Sequence, residues 1–579
     1  MHNSTRIGFE HRIALFYMIL IVVIGLLALR MVQLQWVQHE QYSLQADDNR
    51  LNTIPLLSVR GEISDRNGKP LAINQTSYQL VVIPERVKDK KKLLAELSPW
   101  FQWDEKKQLR LLRKVKKDRA DRPVILENKL DWEHIAPIAA RLHQFPGLDV
   151  QVGTHRYYPY GFLVSHLMGY LSKTQKKHLD MGMLASEKIG STGLERVWES
   201  SLHGQLGNQL EEVNARGRRI QVLDSKAPVM GSHVRASIDI ELQQTAAAAL
   251  GERNGAVVMM DVHTGEVLVA LSMPSFDNNA FIQGFSHKQW KRWMDDERHP
   301  LLNRTTQAVY PPASTFKMLT SFAGLRHAVP LSHSETTCAG YIQLKTRRLR
   351  CWNRYGHGHV DMAKALMQSC DVYFYELSKQ IGNQKLHDEA LMWGFGEKTG
   401  IAIPERKGSV PRVKMYQGEL MIAGIGQGSV TASPLQVARF AAAIANGGKV
   451  LRPQLQAGVK PEIIRQVDVS QASLDKVRKA MRTVVSTRGG TAYRVLSDTA
   501  VSVAGKTGTA QVVAMSQKSR KAKKNQLNHH KDHAWFMGYA PYENPRIAFA
   551  VIVEHGEHGG STAGPIAKQV INHWAEKYL

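Results

Sequence analysis

The chain has 579 residues, more than one hydrophobic core accommodates, so two or three folded units are expected. Hydrophobic residues at 43% and charged residues at 22% are ordinary for globular domains and exclude a disordered chain. A net charge of +25 calls for an anionic lipid or polymer; with no zinc-finger, RNA-recognition or helix-turn-helix signature beside it, no nucleic acid is expected.

Ile13 to Leu29 is an uncharged apolar run, and Met31 and Val32 extend it past Arg30, which can snorkel to the interface. Arg6 and Arg12 precede it, whereas residues 31–49 hold no Lys or Arg. The positive-inside rule therefore predicts a cytoplasmic tail over 1–12, a membrane span over 13–32 and everything after it outside. A retained anchor is expected over a cleaved signal peptide, because no small-x-small cleavage site closes the run.

Met31 to Asn49 is Gln-rich with helical spacing of Leu34, Val37, Tyr42 and Leu44, and reads as a helix leaving the membrane. Asp65, Asn67 and Gly68 give Arg60 to Ala72 turn chemistry, and Tyr78 to Ile83 reads as a strand. Residues 85–150, rich in Lys, Glu and Leu, read as surface helices with solvated charge runs. Tyr157 to Tyr170 and Ile189 to Glu195 are Gly-containing segments between elements. Ser225 to Ser232, with Pro228 and Gly231, is the expected domain boundary, giving 33–228 and 229–579. Beyond it, Ile238 to Leu250 reads as a helix, and Ala256 to Met260 and Glu266 to Leu271 as strands. Phe536 to Tyr539 and Ile547 to Glu554 are two more strands, and Pro565 to Tyr578 is a closing helix. Strands at both ends of the segment with helices between predict an α+β domain with one sheet built from its two termini.

Within that segment stands Y-P-P-A-S-T-F-K-M-L, Tyr310 to Leu319. On a helix begun at Pro311 or Pro312, Ser314 and Lys317 share a face. A hydroxyl is a weak nucleophile that needs an adjacent base, and a buried lysine amine can be that base. Ser-x-x-Lys is common by chance. Its weight comes from Ser369-Cys370-Asp371 and from Lys506-Thr507-Gly508-Thr509 downstream. A second Lys-Thr-Gly, Lys398 to Gly400, sits in F-G-E-K-T-G-I-A-I-P, a helix exit. The copy at Lys506 lies between apolar runs suited to a strand, so the chemistry is assigned there.

This ordered triple is that of the penicillin-binding proteins and serine β-lactamases. In it Ser314 attacks an acyl carbonyl, Lys317 takes its proton and Ser369 relays a proton to the leaving amine. Lys506 supplies positive potential for a substrate carboxylate, and Thr507 and Thr509 present hydroxyls to it. R-G-x-I-x-D-R-N-G at Arg60–Gly68, G-x-x-G-L-E at Gly190–Glu195, I-G-Q-G-S-V-T-A-S-P-L-Q at Ile425–Gln436 and A-N-G-G at Ala445–Gly448 extend the likeness. The chain resembles a class B penicillin-binding protein over nearly its whole length after the anchor. The resemblance implies an elongated α+β pedestal of the dimerisation type, carrying a β-lactamase-like transpeptidase domain with a central antiparallel sheet. It implies an inner-membrane enzyme that cross-links peptidoglycan stem peptides ending in D-Ala-D-Ala and is acylated by β-lactams. It also implies a SEDS-type glycosyltransferase and an elongation-complex scaffold as partners. The family's usual middle motif is Ser-x-Asn; Asp371 stands in place of Asn, similar to the elongation-specific branch that serves rod shape. Ionised, this carboxylate only accepts, and it is expected to accept from Lys317 or a backbone N–H.

The three cysteines, Cys338, Cys351 and Cys370, lie close together, with His357 between the last two in the spacing C-x12-C-x5-H-x12-C. Three thiolates and one imidazole make a closed structural zinc site. A Cys338–Cys351 disulfide with Cys370 free, or three buried inert thiols, are the alternatives. Zinc held by Cys370 would pin the loop that carries Ser369. Trp352, Tyr355 and Tyr373 are aromatic candidates for the cleft or the core. The basic stretch Gln517 to Lys531 reads as a solvated loop at the rim of the site. The other functions considered are a D,D-carboxypeptidase or β-lactamase, a division-specific transpeptidase, a β-lactam sensor and a non-catalytic scaffold. The twelve residues before the anchor leave no room for a sensor's signalling module, and the intact triple opposes a scaffold.

Overall fold

The computed structural model describes residues 4–117, 123–175, 187–214, 219–512 and 531–579. Most of the basic stretch at 517–531 lies outside the described residues.

Helix α1, Ser4–Val32, runs on into a π-helical turn, Gln33–Val37, and a further helix, His39–Arg50. The stretch His11–Val37 is long and apolar enough to cross a membrane, and none of it is buried. A helix suits that environment because it satisfies its backbone hydrogen bonds internally.

The chain forms two compact units that interleave along the sequence. One gathers residues up to Val59 with Gln79–Gln151 and Gly204–Gly231. In it Leu51–Leu56, Gly207–Val213 and Arg219–Lys226 make a three-stranded antiparallel sheet with Gly207–Val213 in the middle. Helix Lys90–Phe101 begins at Asp89, whose carboxylate caps Lys91 N and Lys92 N. This helix buries Leu93, Leu94 and Leu97, and helix Glu105–Lys117 buries Leu111 and Val115. The run read as surface helices also holds a strand, Val124–Leu130, whose Val124 and Leu126 alternate inward with period two.

The second unit comprises Arg60–Tyr78, Val152–His203 and Ser232–Leu579. Its centre is a five-stranded antiparallel sheet. Strands β1, Gly255–Asp261, and β2, Val267–Met273, come from the start of the last segment. Strands β3, Ala504–Ala510, β4, His533–Ala540, and β5, Ile547–Val553, come from its end. The order is β2-β1-β5-β4-β3, the sheet from two termini that the sequence predicts. Alternation divides its side chains between two cores. Val257, Met259, Phe549 and Val551 pack with helices α2, Ile240–Leu250, and α7, Gly564–Tyr578. Val258, Met260, Ala550 and Ile552 face the larger core. That core holds α3, Lys317–Arg326, α4, Met362–Met367, α5, Asp371–Ile381, and α6, Pro434–Ala445. Every residue of α6 is buried, and a capping box of Ser433 and Gln436 starts it.

The boundary read at 228/229 is crossed by this unit, which reaches back to both N-terminal motifs. Buried Glu195 joins them, accepting from Arg60 Nε at 2.8 Å, Arg156 Nε at 2.6 Å and Tyr158 OH at 3.1 Å. Asp65 holds its turn by accepting from Asn67 N and Lys69 N, both at 2.8 Å, and takes Ile240 N at 3.2 Å. A buried carboxylate persists only when its lone pairs are answered, which is what these motif residues supply.

Candidate active site

The turn that carries Ser314 is strained and held in place by its neighbours. Ala313–Phe316 is a 3-10 turn, and α3 starts only at Lys317. In 3-10 geometry positions i and i+3 eclipse, so Ser314 and Lys317 share a side although the α-helix expected from Pro311 is absent. Ala313 has φ +51°, costly for a residue with a Cβ. Its N–H is fixed to Gly426 O at 2.8 Å, and Trp535 Nε1 donates to Pro311 O at 3.1 Å. A Cβ on Gly426 would lie 2.3 Å from Ala313 O, so only glycine permits this approach. Ser314 is half-buried between buried neighbours.

Lys317 is fully buried. Its Nζ donates to Ser369 O at 2.9 Å, Ser369 Oγ at 3.3 Å and Asp371 Oδ1 at 2.7 Å. Three acceptors use all three protons of an ammonium. No hydrogen bond joins Ser314 Oγ to Lys317 among the described residues. Ser369 has φ +57°, held by Cys370 N donating to Ala365 O at 2.8 Å. Asp371 opens α5, and its Oδ2 accepts from Trp352 N at 2.8 Å, so it bonds both a lysine and a backbone N–H. Burial pushes its carboxyl up, against the pull of Lys317.

Strand β3 brings the third motif alongside. A Cβ on Gly508 would meet Trp535 Cβ at 3.1 Å, Thr315 Cγ2 at 3.2 Å and Pro312 O at 3.3 Å, so this glycine sets how near β3 comes to the serine turn. Lys506 is fully buried with Nζ donating to Thr507 O at 2.9 Å. Burial, and then the charge of Lys317, hold its pKa well below the ordinary lysine value. Thr507 Oγ1 lies 2.7 Å from Thr491 Oγ1, and Gln427 Nε2 donates to Thr509 O at 2.9 Å. The other Lys-Thr-Gly is a loop folded round Glu405, which accepts from Thr399 N, Thr399 Oγ1 and Gly400 N.

Cys338, Cys351 and Cys370 are free thiols, all buried. Together with His357 they place one donor atom each within 4.8 Å of one another. Asp371 N donates to Cys351 Sγ at 3.4 Å, which ties the cluster directly to the residue that holds Lys317. Trp352 lines the cleft, Tyr355 is exposed, and Tyr373 is core, its OH donating to Leu331 O at 2.7 Å. Gln427 falls inside the Ile425–Gln436 motif without a role of its own having been assigned to it, Thr491 closes the T-R-G-G-T string at 487–491, and Trp535 lies outside every motif.

The transpeptidase domain of penicillin-binding proteins matches residues 255–572, and the penicillin-binding protein dimerisation domain matches 55–236. The peptidoglycan D,D-transpeptidase MrdA of Haemophilus influenzae is 32% identical over 99% of this chain and 92% of its own length. That of Acinetobacter baumannii is 34% identical over 97% and 88%. Penicillin-binding protein 2 of Helicobacter pylori, solved in complex with MreC, superposes with a TM-score of 0.81 at 31% identity, over 91% of this chain and 99% of that one. A chain from a peptidoglycan synthase complex solved for its coordination of polymerization and crosslinking matches over 98% of both chains, with a TM-score of 0.73 and 29% identity.

The chain belongs to the class B penicillin-binding proteins, in the branch of penicillin-binding protein 2. For a penicillin-binding protein the gathering of Lys317, Ser369, Asp371 and β3 around one turn is the expected grouping, and the structure places all of it inside a single unit. Beneath the serine turn, Tyr310 OH donates to Glu554 Oε1 at 2.7 Å, and Arg304 bonds the same carboxylate from Nε at 3.0 Å and Nη2 at 3.1 Å. This network moors the segment that precedes Ser314 to the residue that follows β5.

Proposed function

We propose that this protein cross-links peptidoglycan during cell elongation, as a serine D,D-transpeptidase whose nucleophile is Ser314. The meeting of Lys317, Ser369 and Asp371 on one buried amine beside the serine turn carries the assignment. Lys317, with one of its three protons passed to Asp371 Oδ1 at 2.7 Å, takes the proton of Ser314 as Oγ attacks the carbonyl of the penultimate D-Ala. The C–N bond to the terminal D-Ala breaks, and its nitrogen takes a proton through Ser369 Oγ. Lys506, Thr507 and Thr509 hold the carboxylate of that leaving residue, with Gly508 admitting β3 to the site. An amine of a second strand then attacks the acyl carbon, the bond from that carbon to Ser314 Oγ breaks, and the amine's proton passes to Oγ. Low polarity around the amine strengthens each of these contacts. Fluorescent penicillin is expected to label the wild-type chain at a peptide containing Ser314 and to leave Ser314→Ala unlabelled. Label on the Ala variant sinks the assignment. Depletion in the native cell is expected to round the cells; filaments would move the protein to the division branch.

Cys338, Cys351, His357 and Cys370 fit a structural zinc. Zn–S of about 2.3 Å and Zn–N of about 2.0 Å in a tetrahedron put sulfur and nitrogen roughly 3.6 Å apart. His357 Nδ1 lies 3.6 Å from Cys338 Sγ and 3.5 Å from Cys351 Sγ. The ion would supply no acid or nucleophile; it would clamp the loops carrying Trp352 and Ser369. Purified protein is expected to hold one equivalent of zinc, and protein free of zinc overturns this part of the reading.

The N-terminus lies in the cytoplasm and the two units in the periplasm, on the contrast between Arg6 and Arg12 and the uncharged flank at 31–49. A SEDS-type glycosyltransferase and an elongation-complex scaffold are the membrane partners, in line with the relatives solved with MreC and within a synthase complex.

A further inference from the structure

A cavity of about 970 Å³ opens beside the site, and its lining includes Trp352, His357, Gln368, Arg488, Thr491 and Arg494. Its position is fixed by two contacts. Thr491 Oγ1 is 2.7 Å from Thr507 Oγ1, and Thr491 N donates to Met367 O at 3.3 Å, next to Gln368. The cavity therefore adjoins both Thr507, which holds the leaving carboxylate, and the neighbour of Ser369, which protonates the leaving amine. The space beside a leaving group is where its replacement enters, because deacylation by an amine is acylation run backwards.

The lining is cationic. Among the described residues it contains no Asp or Glu. Arg488 and Arg494 are exposed, and neither makes an ion pair among the described residues, in contrast to Arg304, Arg326 and Arg465. Two lining residues carry a buried polar atom with no partner, Gln368 Oε1 and His357 Nε2. With Nδ1 turned to the sulfurs, His357 Nε2 carries a hydrogen and nothing to donate it to. One unanswered buried donor, His357 Nε2, beside two guanidiniums without an ion-pair partner describes a site for an anion, and Gln368 Oε1, an acceptor, is left to take a hydrogen from the amine that accompanies it.

We propose that this cavity is the acceptor subsite, and that Arg488 and Arg494 read a carboxylate on the incoming amine additional to any on its reacting carbon. The inference rests on acylation of Ser314. In the step concerned, the acceptor nitrogen forms a bond to the acyl carbon and the bond from that carbon to Ser314 Oγ breaks. One proton passes from nitrogen to Oγ by way of Lys317. The guanidiniums hold the acceptor strand and touch no reacting atom.

The test uses the full-length protein acylated by a synthetic pentapeptide ending in D-Ala-D-Ala. D-glutamate and D-glutamine, which differ by one charge at nearly equal shape, compete as acceptors. Wild type is expected to favour D-glutamate by roughly three- to tenfold, the size of one or two partly exposed charge contacts. The preference shrinks as salt is raised. Arg488→Gln with Arg494→Gln removes it, and the double Lys variant keeps much of it, which separates charge from folding. Absence of the preference in wild type, or its survival in the double Gln variant, overturns the subsite. Acylation followed by no transfer to either amine also overturns it while leaving Ser314 in place. Failure of fluorescent penicillin to label wild type brings down the acylation beneath it as well.

Discussion

An ammonium that answers three acceptors has no room for error in its surroundings. Lys317 is in that state, with Ser369 O, Ser369 Oγ and Asp371 Oδ1 around it. Removing one partner of a buried ion pair costs about 3–5 kcal/mol, because the other charge stays buried. Asp371→Ala is therefore expected to lower the unfolding free energy by roughly that amount. Asp371→Asn keeps an acceptor oxygen and is expected to cost less in denaturant melts while slowing penicillin acylation about tenfold or more, the value of a charge-assisted bond. Equal stability of the Ala variant and wild type would contradict the pairing. The serine side of the site depends on backbone positions. A methyl at Gly426 meets Ala313 O at 2.3 Å, and φ there is +70°. Gly426→Ala is expected to displace the Ser314 turn, with a lower melting temperature and slower labelling together; slow labelling alone would place the fault elsewhere. The triple of motifs was legible because each is a short string of reactive residue types. The contacts of Gln427 and Thr491 were not: each lies in a readable string, I-G-Q-G and T-R-G-G-T, but its partner stands 82 or 16 positions away.

Among the elements, the strands β1, β2, β4 and β5 were visible as apolar runs, because both faces of this sheet are covered and nothing interrupts them. The helix expected to begin at Pro311 instead begins at Lys317, since Ala313 and Ser314 are drawn into a tight turn by Gly426 and β3. That turn is moored by Tyr310, Glu554 and Arg304. Burial alone would raise the Glu554 pKa, but Arg304 and the hydroxyl of Tyr310 outweigh it and hold it below the ordinary value of 4.5. The contribution is therefore complete above pH 4.5 and is lost as pH falls through the depressed value. Melting temperatures taken down through that range should fall more steeply for wild type than for Glu554→Gln, which is uncharged throughout. Parallel profiles would remove this network from the acid response.

For the whole molecule, the interleaving of the two units carries a direct consequence. Ser64 O receives Ala236 N at 2.8 Å, and Ile238 O receives Arg66 N at 3.0 Å, so the catalytic unit includes residues far upstream of its main segment. A fragment starting at residue 229 lacks Arg60–Tyr78 and Val152–His203 and is expected not to bind penicillin, whereas one starting at residue 51 labels. Robust labelling of the shorter piece would show those segments to be dispensable. Metal removal belongs at this scale too, because the cysteine cluster joins loops separated in sequence. Chelation is expected to lower the melting temperature by several degrees, as loss of a few kcal/mol does in a large domain, and to slow acylation in step. The sequence by itself determined the long apolar N-terminal helix, the family, the three motifs and the spacing of Cys338, Cys351, His357 and Cys370. All of these are readable because composition, periodicity and short-range spacing act along the chain. Only the tertiary structure decided which N-terminal segments join the catalytic unit, how the lysine distributes its protons and that an acid-free cationic cavity lies beside Thr507. Those depend on contacts between residues tens to hundreds of positions apart, made when two cores close around one sheet.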